Sequence, residues 1–226
     1  MHFRNRTDAG RYLAQKMGRY GDAGNVVVLA LPRGGVPVGY EVAAELRALL
    51  GIFLVRKLGV PGHEEFALGA IALGGAWFVN EDIVRQLGIS RQQIQSIVER
   101  ETQEMDRRAE VYGEEFSNVD VQGRTVILVD DGLATGSTMR AAVNVLKQRN
   151  PERIVIAVPV ASDSACDQLK GEVSEIVCVY MPENFHAVGQ CYDDFSQTSD
   201  EEVRELLMRA KGRFDPRTAS LSPLVF

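Results

Sequence analysis

Val126-Ile127-Leu128-Val129 runs directly into Asp130 and Asp131, and then into Gly132-Leu133-Ala134-Thr135-Gly136-Ser137-Thr138. Four apolar residues, three of them β-branched, read as a buried strand. Met139, Ala142, Val143 and Leu146 then share one face of a helix. A strand, a short turn and a helix in that order define a βα unit, and the turn carries the chemistry. Gly136, Ser137 and Thr138 stand where the helix begins. The first amides of a helix have no internal partner, and that end of the dipole is positive. A phosphate suits such a place. The hydroxyls of Thr135, Ser137 and Thr138 add donors. Asp130 and Asp131 repel phosphate, so they suit the hydroxyls of an attached sugar or an accompanying Mg2+.

The rest of the chain supplies more βα units. Residues 26–31 form a continuous apolar run, as in a central parallel strand. Pro32-Arg33-Gly34-Gly35 follows, ahead of a helix carrying Val38, Val42, Leu46 and Leu49. Adjacent glycines exclude the dinucleotide fingerprint, and the absence of Gly-Lys-Ser/Thr excludes a Walker A loop. Arg33 with two glycines makes a donor-rich anion loop. Residues 52–55 are read as the second strand, which would deliver Arg56 and Lys57 to the ligand-binding edge. Side chains alternate along a strand, so one of the two faces the site.

Residues 61–65 read as a polar loop. His63-Glu64 is no zinc-protease motif, because position 67 is Ala. Residues 66–73 and 76–79 read as a hairpin turned by Gly74-Gly75. Asn80 caps a short helix through Leu87, and Ser90 with Gln93 opens a long one to about Tyr112. Its narrow stripe of Ile94, Ile97, Val98, Met105, Ala109 and Tyr112 predicts a largely solvated helix. A subunit contact or part of a lid is the second reading. Residues 153–160 and 175–180 are further strands, with a helix over 163–169 between them. Thr7 is the expected cap of a first helix, and Ser199 of the last. The final dozen residues read as frayed. Five strands with helical crossovers predict a doubly wound, mostly parallel five-stranded α/β sheet with flanking helices. The expectation is one domain over 1–226, with a hairpin and helical insertion at about 62–118 and a small C-terminal hood.

The apolar strand, acid pair and hydroxyl loop resemble the 5-phosphoribosyl-1-pyrophosphate (PRPP) signature of the type I phosphoribosyltransferases. The likeness extends to a group with a Pro-Arg-Gly-Gly loop and a Tyr192-Asp193-Asp194-Phe195 tail. It implies a Mg2+-dependent pentosyltransferase of nucleotide metabolism. Such an enzyme moves 5-phosphoribose from PRPP to a nitrogenous acceptor, a nucleobase first, and releases pyrophosphate. By this resemblance Ala134, Thr135, Gly136, Ser137 and Thr138 bind the 5-phosphate. Asp130 and Asp131 take the ribose hydroxyls, Mg2+ being held mainly by PRPP. Arg33, Gly34 and Gly35 grip the pyrophosphate, often through a cis peptide, with Arg56 or Lys57 beside them. Phe185, Tyr192 or Phe195 would stack on the acceptor, or equally cover the core. A dimer is the family expectation. Gly132 replaces a common aliphatic residue and should loosen the turn. The alternative is a PRPP-binding regulator with little catalysis.

Composition narrows the partners. A net charge of -6 argues against a general nucleic-acid binder, while leaving room for a local positive site. No apolar run has membrane-span length, and the first residues lack a signal-peptide core, so a cytoplasmic protein is expected. Cys166, Cys178 and Cys191 are too widely spaced for a zinc finger and are expected to be reduced thiols.

Overall fold

The computed structural model describes residues 1–21, 24–61 and 63–214. In chain order these form α1 (Arg6–Met17), β1 (Val26–Ala30), α2 (Gly35–Leu46), β2 (Leu49–Ile52), β3 (Val55–Val60), β4 (His63–Ala72) and β5 (Trp77–Val79). Then come α3 (Glu81–Leu87), α4 (Arg91–Tyr112), α5 (Glu114–Ser117), β6 (Thr125–Val129) and α6 (Ser137–Lys147). The chain continues as β7 (Arg153–Val160), α7 (Asp163–Leu169), β8 (Glu175–Tyr180) and α8 (Asp200–Phe214).

Five strands make one sheet in the order β2-β1-β6-β7-β8, every pair parallel. Alternation along the strands builds two cores. Val28, Ala30, Ile127, Val129, Val155 and Ala157 face the layer that holds α1, α2 and α8. Val27, Leu29, Val126, Leu128, Ile154 and Ile156 face α6 and α7. Both faces are covered, which is why these strands read as unbroken apolar runs. The doubly wound parallel α/β sheet expected from the sequence is the observed fold. Among the described residues no helix is long and apolar enough to cross a membrane.

A second sheet, β3-β4-β5, is antiparallel. Leu58, Val60, Leu68 and Ile71 pack on Ile94, Ile97, Val98 and Met105 of α4. Ala70 and Ala72 turn the other way, into the core beside α6. The stripe expected on α4 is the stripe it buries, with Glu101 added.

Three local expectations are corrected. The cap of α1 is Asn5, whose side chain accepts from the Asp8 amide, and Thr7 lies inside the helix. The second core strand ends at Ile52, and Arg56 and Lys57 lie within β3 of the other sheet. The segment 61–65 is not all loop, since β4 begins at His63. Gly62 and the final dozen residues fall outside the described residues. Asn80, the Ser90–Gln93 capping box and Ser199 cap as expected. All three cysteines are free thiols.

Candidate active site

Parallel strands end together, so the loops after β1, β6 and β7 share one edge. Leu133 bridges to Ala161, and the Ser162 hydroxyl donates to the Ala134 carbonyl at 2.6 Å, pinning the hydroxyl loop to the end of β7. Beyond it the Thr135 and Ser137 hydroxyls lie 3.2 Å apart, and Ser137 starts α6. Three hydroxyl side chains therefore stand at a helix N-terminus, an arrangement that accepts an anion.

The loop after β1 meets the loop after β6 because their strands are neighbours. The Pro32–Arg33 peptide bond is cis. Gly34 packs against the acid pair so tightly that a Cβ there would lie 2.1 Å from Asp131 Oδ2. Any side chain at position 34 would displace that carboxylate. Gly132 is a second close approach: a Cβ would lie 2.4 Å from Val188 Cγ1. Its role is the reverse of the loosening expected, because it lets the C-terminal hood seat directly on the signature turn.

The Asp131 carboxylate accepts from Arg6 Nε at 2.8 Å, and both side chains are mostly buried. Arg6 also donates to the Ser196 carbonyl at 2.6 Å and lies over the Phe195 ring. The Tyr192 hydroxyl donates to the Asp131 carbonyl at 2.6 Å. Asp130 accepts from the Asp131 amide at 2.9 Å. Burial, and then the neighbouring Asp131 charge, push the Asp130 carboxyl well above the ordinary carboxylate range. Burial also raises Asp131, against the pull of Arg6.

The three candidate aromatic side chains have different surroundings. Tyr192 is enclosed and tilted against Phe3. Phe185 packs partly buried on the same cluster. Phe195 stays more than a third exposed, with Arg6 on its face.

A cleft of about 580 Å³ opens beside this edge, lined by Arg33, Gly34 and Thr138 on one side and by Arg56, Arg107 and Arg108 on the other. Alternation on β3 separates the two cations offered by the sequence. Arg56 faces α4 and pairs with Glu101. Lys57 points the opposite way, into a second cavity with Ser137 and Arg140. Arg33 Nη1 lies 3.8 Å from Asp200 Oδ1, the atom that also accepts from the Tyr112 hydroxyl at 2.6 Å. Burial and that acid raise the Tyr112 hydroxyl.

Arg6, Arg107, Arg108 and Asp200 were not legible as site residues. Arg108 carried a faint signal, since it completes the helical spacing of Met105, Ala109 and Tyr112. Arg6 had none, lying 125 residues from the acid it binds.

A parallel sheet with an acid pair and a hydroxyl-lined helix start at its carboxyl edge defines a ligand-binding α/β protein of the phosphoribosyltransferase kind. The chain belongs to the phosphoribosyl transferase family: the family model described as "Phosphoribosyl transferase domain" matches residues 62–196. That match begins after the Arg33 loop. The chain is 42% identical over 212 residues to a Mycobacterium tuberculosis (strain H37Rv) protein named "Putative phosphoribosyl transferase Rv0571c". The aligned part is 94% of this chain and 48% of that protein, so the chain spans about half the length of the curated relatives it matches. The crystal structure of the protein TT1426 from Thermus thermophilus superposes with a TM-score of 0.83 at 42% identity, covering 92% of this chain and 99% of that one. A shorter match, 34% identical over 61 residues, is to ribose-phosphate pyrophosphokinase of Pyrococcus furiosus, over 26% of this chain and 22% of that protein.

Proposed function

We propose that the chain transfers 5-phosphoribose from PRPP to a nitrogenous acceptor, with a nucleobase as first choice, and releases pyrophosphate. The observation that carries this reading is the contact of Gly34 with Asp131, which joins the cis Pro32–Arg33 loop to the acid pair. One substrate carrying a phosphate, a diol and a pyrophosphate has a partner for each group here. Thr135, Gly136, Ser137 and Thr138, with the Ala134 backbone, take the 5-phosphate. Asp130 and Asp131 take the ribose hydroxyls. Arg33, Gly34 and Gly35, with Arg56, take the pyrophosphate.

In the reaction the bond from ribose C1 to pyrophosphate breaks and a bond from C1 to nitrogen forms. Positive charge develops on the sugar between those events. The two carboxylates stabilise it, and the arginines hold the departing charge. Among the described residues no cluster of three or more His, Cys, Asp or Glu side chains could hold a metal. Two carboxylates, one already engaged by Arg6, fit a Mg2+ carried mainly by substrate oxygens and water. Asp130 and Asp131 are the residues that would hold it, and it would neutralise pyrophosphate charge.

The test is pyrophosphate release from PRPP and Mg2+ with a pooled panel of nucleobases. Base-dependent release that disappears in Asp131→Asn is expected. A second reading, a PRPP-binding regulator, draws on the Arg6–Asp131 pair, which occupies a carboxylate that the reaction needs. Tight PRPP binding with no release for any acceptor would favour it, and absence of PRPP binding would sink both.

A further inference from the structure

Arg6 is the first residue of α1, where the positive end of the helix dipole disfavours a cation. Its place there is therefore set by its partners and not by the helix. Three of them converge on the one guanidinium. Nε donates to Asp131 Oδ2 at 2.8 Å, Nη1 donates to the Ser196 carbonyl at 2.6 Å, and the group lies 3.9 Å over the Phe195 ring. Helix α1, the signature turn and the C-terminal hood thus meet at a single side chain. Phe195, a candidate for stacking on the acceptor, serves here as a shelf for Arg6. The hood backbone lies against the same ring, since a Cβ on Gly189 would fall 2.9 Å from Phe195 Cδ1. Arg6 also borders the cleft and the seam with the Arg33 loop: a Cβ on Gly34 would lie 3.1 Å from Arg6 Nε.

A guanidinium can grip both oxygens of a carboxylate. Arg6 binds Oδ2 alone. Among the described residues no donor reaches Asp131 Oδ1, yet no buried side-chain oxygen lacks a partner, so Oδ1 opens to solvent. The last torsion of an aspartate is broad, and a carboxylate turns freely unless one oxygen is held. With Oδ2 held by a side chain that is itself fixed at two further points, Oδ1 has a defined direction. A pair that only neutralised a buried charge would need neither an open oxygen nor a place at the cleft.

We propose that Arg6 is a positioning residue for the acid pair: it holds Asp131 by Oδ2 so that Oδ1 is presented to a sugar hydroxyl. This rests on the PRPP reading above. Arg6 acts through Asp131 rather than on the substrate, and the hood, through Ser196 and Phe195, holds Arg6 in place.

The experiment is calorimetric titration of the wild-type chain, Arg6→Gln and Arg6→Lys with PRPP, ribose 5-phosphate and tetrahydrofurfuryl phosphate, each with Mg2+. The last compound keeps the ring and the 5-phosphate but carries no ring hydroxyl. Melting curves are recorded for every variant. In Arg6→Gln, PRPP and ribose 5-phosphate should bind about tenfold more weakly, and tetrahydrofurfuryl phosphate should be unchanged. Arg6→Lys keeps a charged donor for Oδ2 and should lie between wild type and Arg6→Gln. If Arg6→Gln melts too low to titrate, Arg6→Lys carries the same comparison. Arg4→Gln, which removes an exposed arginine two residues away, should change none of the three. Unchanged ribose 5-phosphate affinity, an equal loss for tetrahydrofurfuryl phosphate, or tighter binding without Arg6 would overturn this role and leave the PRPP reading intact. A wild-type chain that binds neither PRPP nor ribose 5-phosphate would end both.

Discussion

The acid edge of the large sheet and the arginine face of α4 are built in opposite ways. Asp130 and Asp131 sit low in a crevice, with the Asp131 backbone held by Tyr192 and its carboxylate by Arg6. Burial lifts the pKa of both acids, so their ionised forms are costly to the free protein. Arg107 and Arg108 stand out from a helix in exchangeable pairs, and their partner Glu104 stays ionised across the working pH range. One half is fixed and strained electrostatically. The other is loose and stays charged. Under the PRPP reading proposed above, this division suits a site that positions a sugar accurately and lets a polyanion enter and leave.

The largest expected effect breaks the fixed half. Asp131→Asn should lower turnover by at least about a hundredfold in a chain that still folds, read from initial rates of pyrophosphate release. Normal turnover in that variant would remove Asp131 from the reaction.

Gly34→Ala tests the seam between them. Its methyl group would lie 2.1 Å from Asp131 Oδ2, so the carboxylate must move. PRPP binding should fall about tenfold, and folding stability by about 1–3 kcal/mol in urea titrations. An unchanged affinity would show that the acid pair tolerates displacement.

Asp130→Asn separates stability from function. The raised pKa means that the folded state favours the protonated acid. That advantage is complete below the unfolded value near 3.8 and is lost as pH rises through the folded value. The variant should therefore melt a few degrees higher than the wild type at pH 7, show no gain near pH 3, and lose turnover. Equal melting temperatures at pH 7 would mean that burial of Asp130 carries no cost.

The smallest effect is expected from Tyr192→Phe. It removes one hydrogen bond to the Asp131 carbonyl, worth about 1 kcal/mol in chemical denaturation.

Much of this was legible because it is local. The residues from Val126 to Thr138 hold a strand, its acids and a helix start in one uninterrupted run, and the structure reproduces each boundary to within a residue. Strands β7 and β8 were legible for the same reason. The errors came where a neighbouring segment competes. Residues 48–55 are apolar almost throughout, so nothing in them marks where the chain leaves the large sheet after Ile52 and begins β3. Asn5 and Thr7 are both good helix caps, and the earlier one took the position.

By itself the sequence determined the α/β class, the parallel order of βα units and the acid pair beside a hydroxyl loop. Each depends on period and spacing along the chain, which the backbone converts directly into geometry. Tertiary structure alone decided which cations face the cleft. Pairing of β3 with β4 set Arg56 toward α4 and Lys57 toward α6, and packing of α4 on that sheet brought Arg107 and Arg108 opposite Arg33. It also placed Arg6 on Asp131, 125 positions away. Contacts between distant segments are chosen by the whole packed arrangement, and no local pattern of residues encodes them.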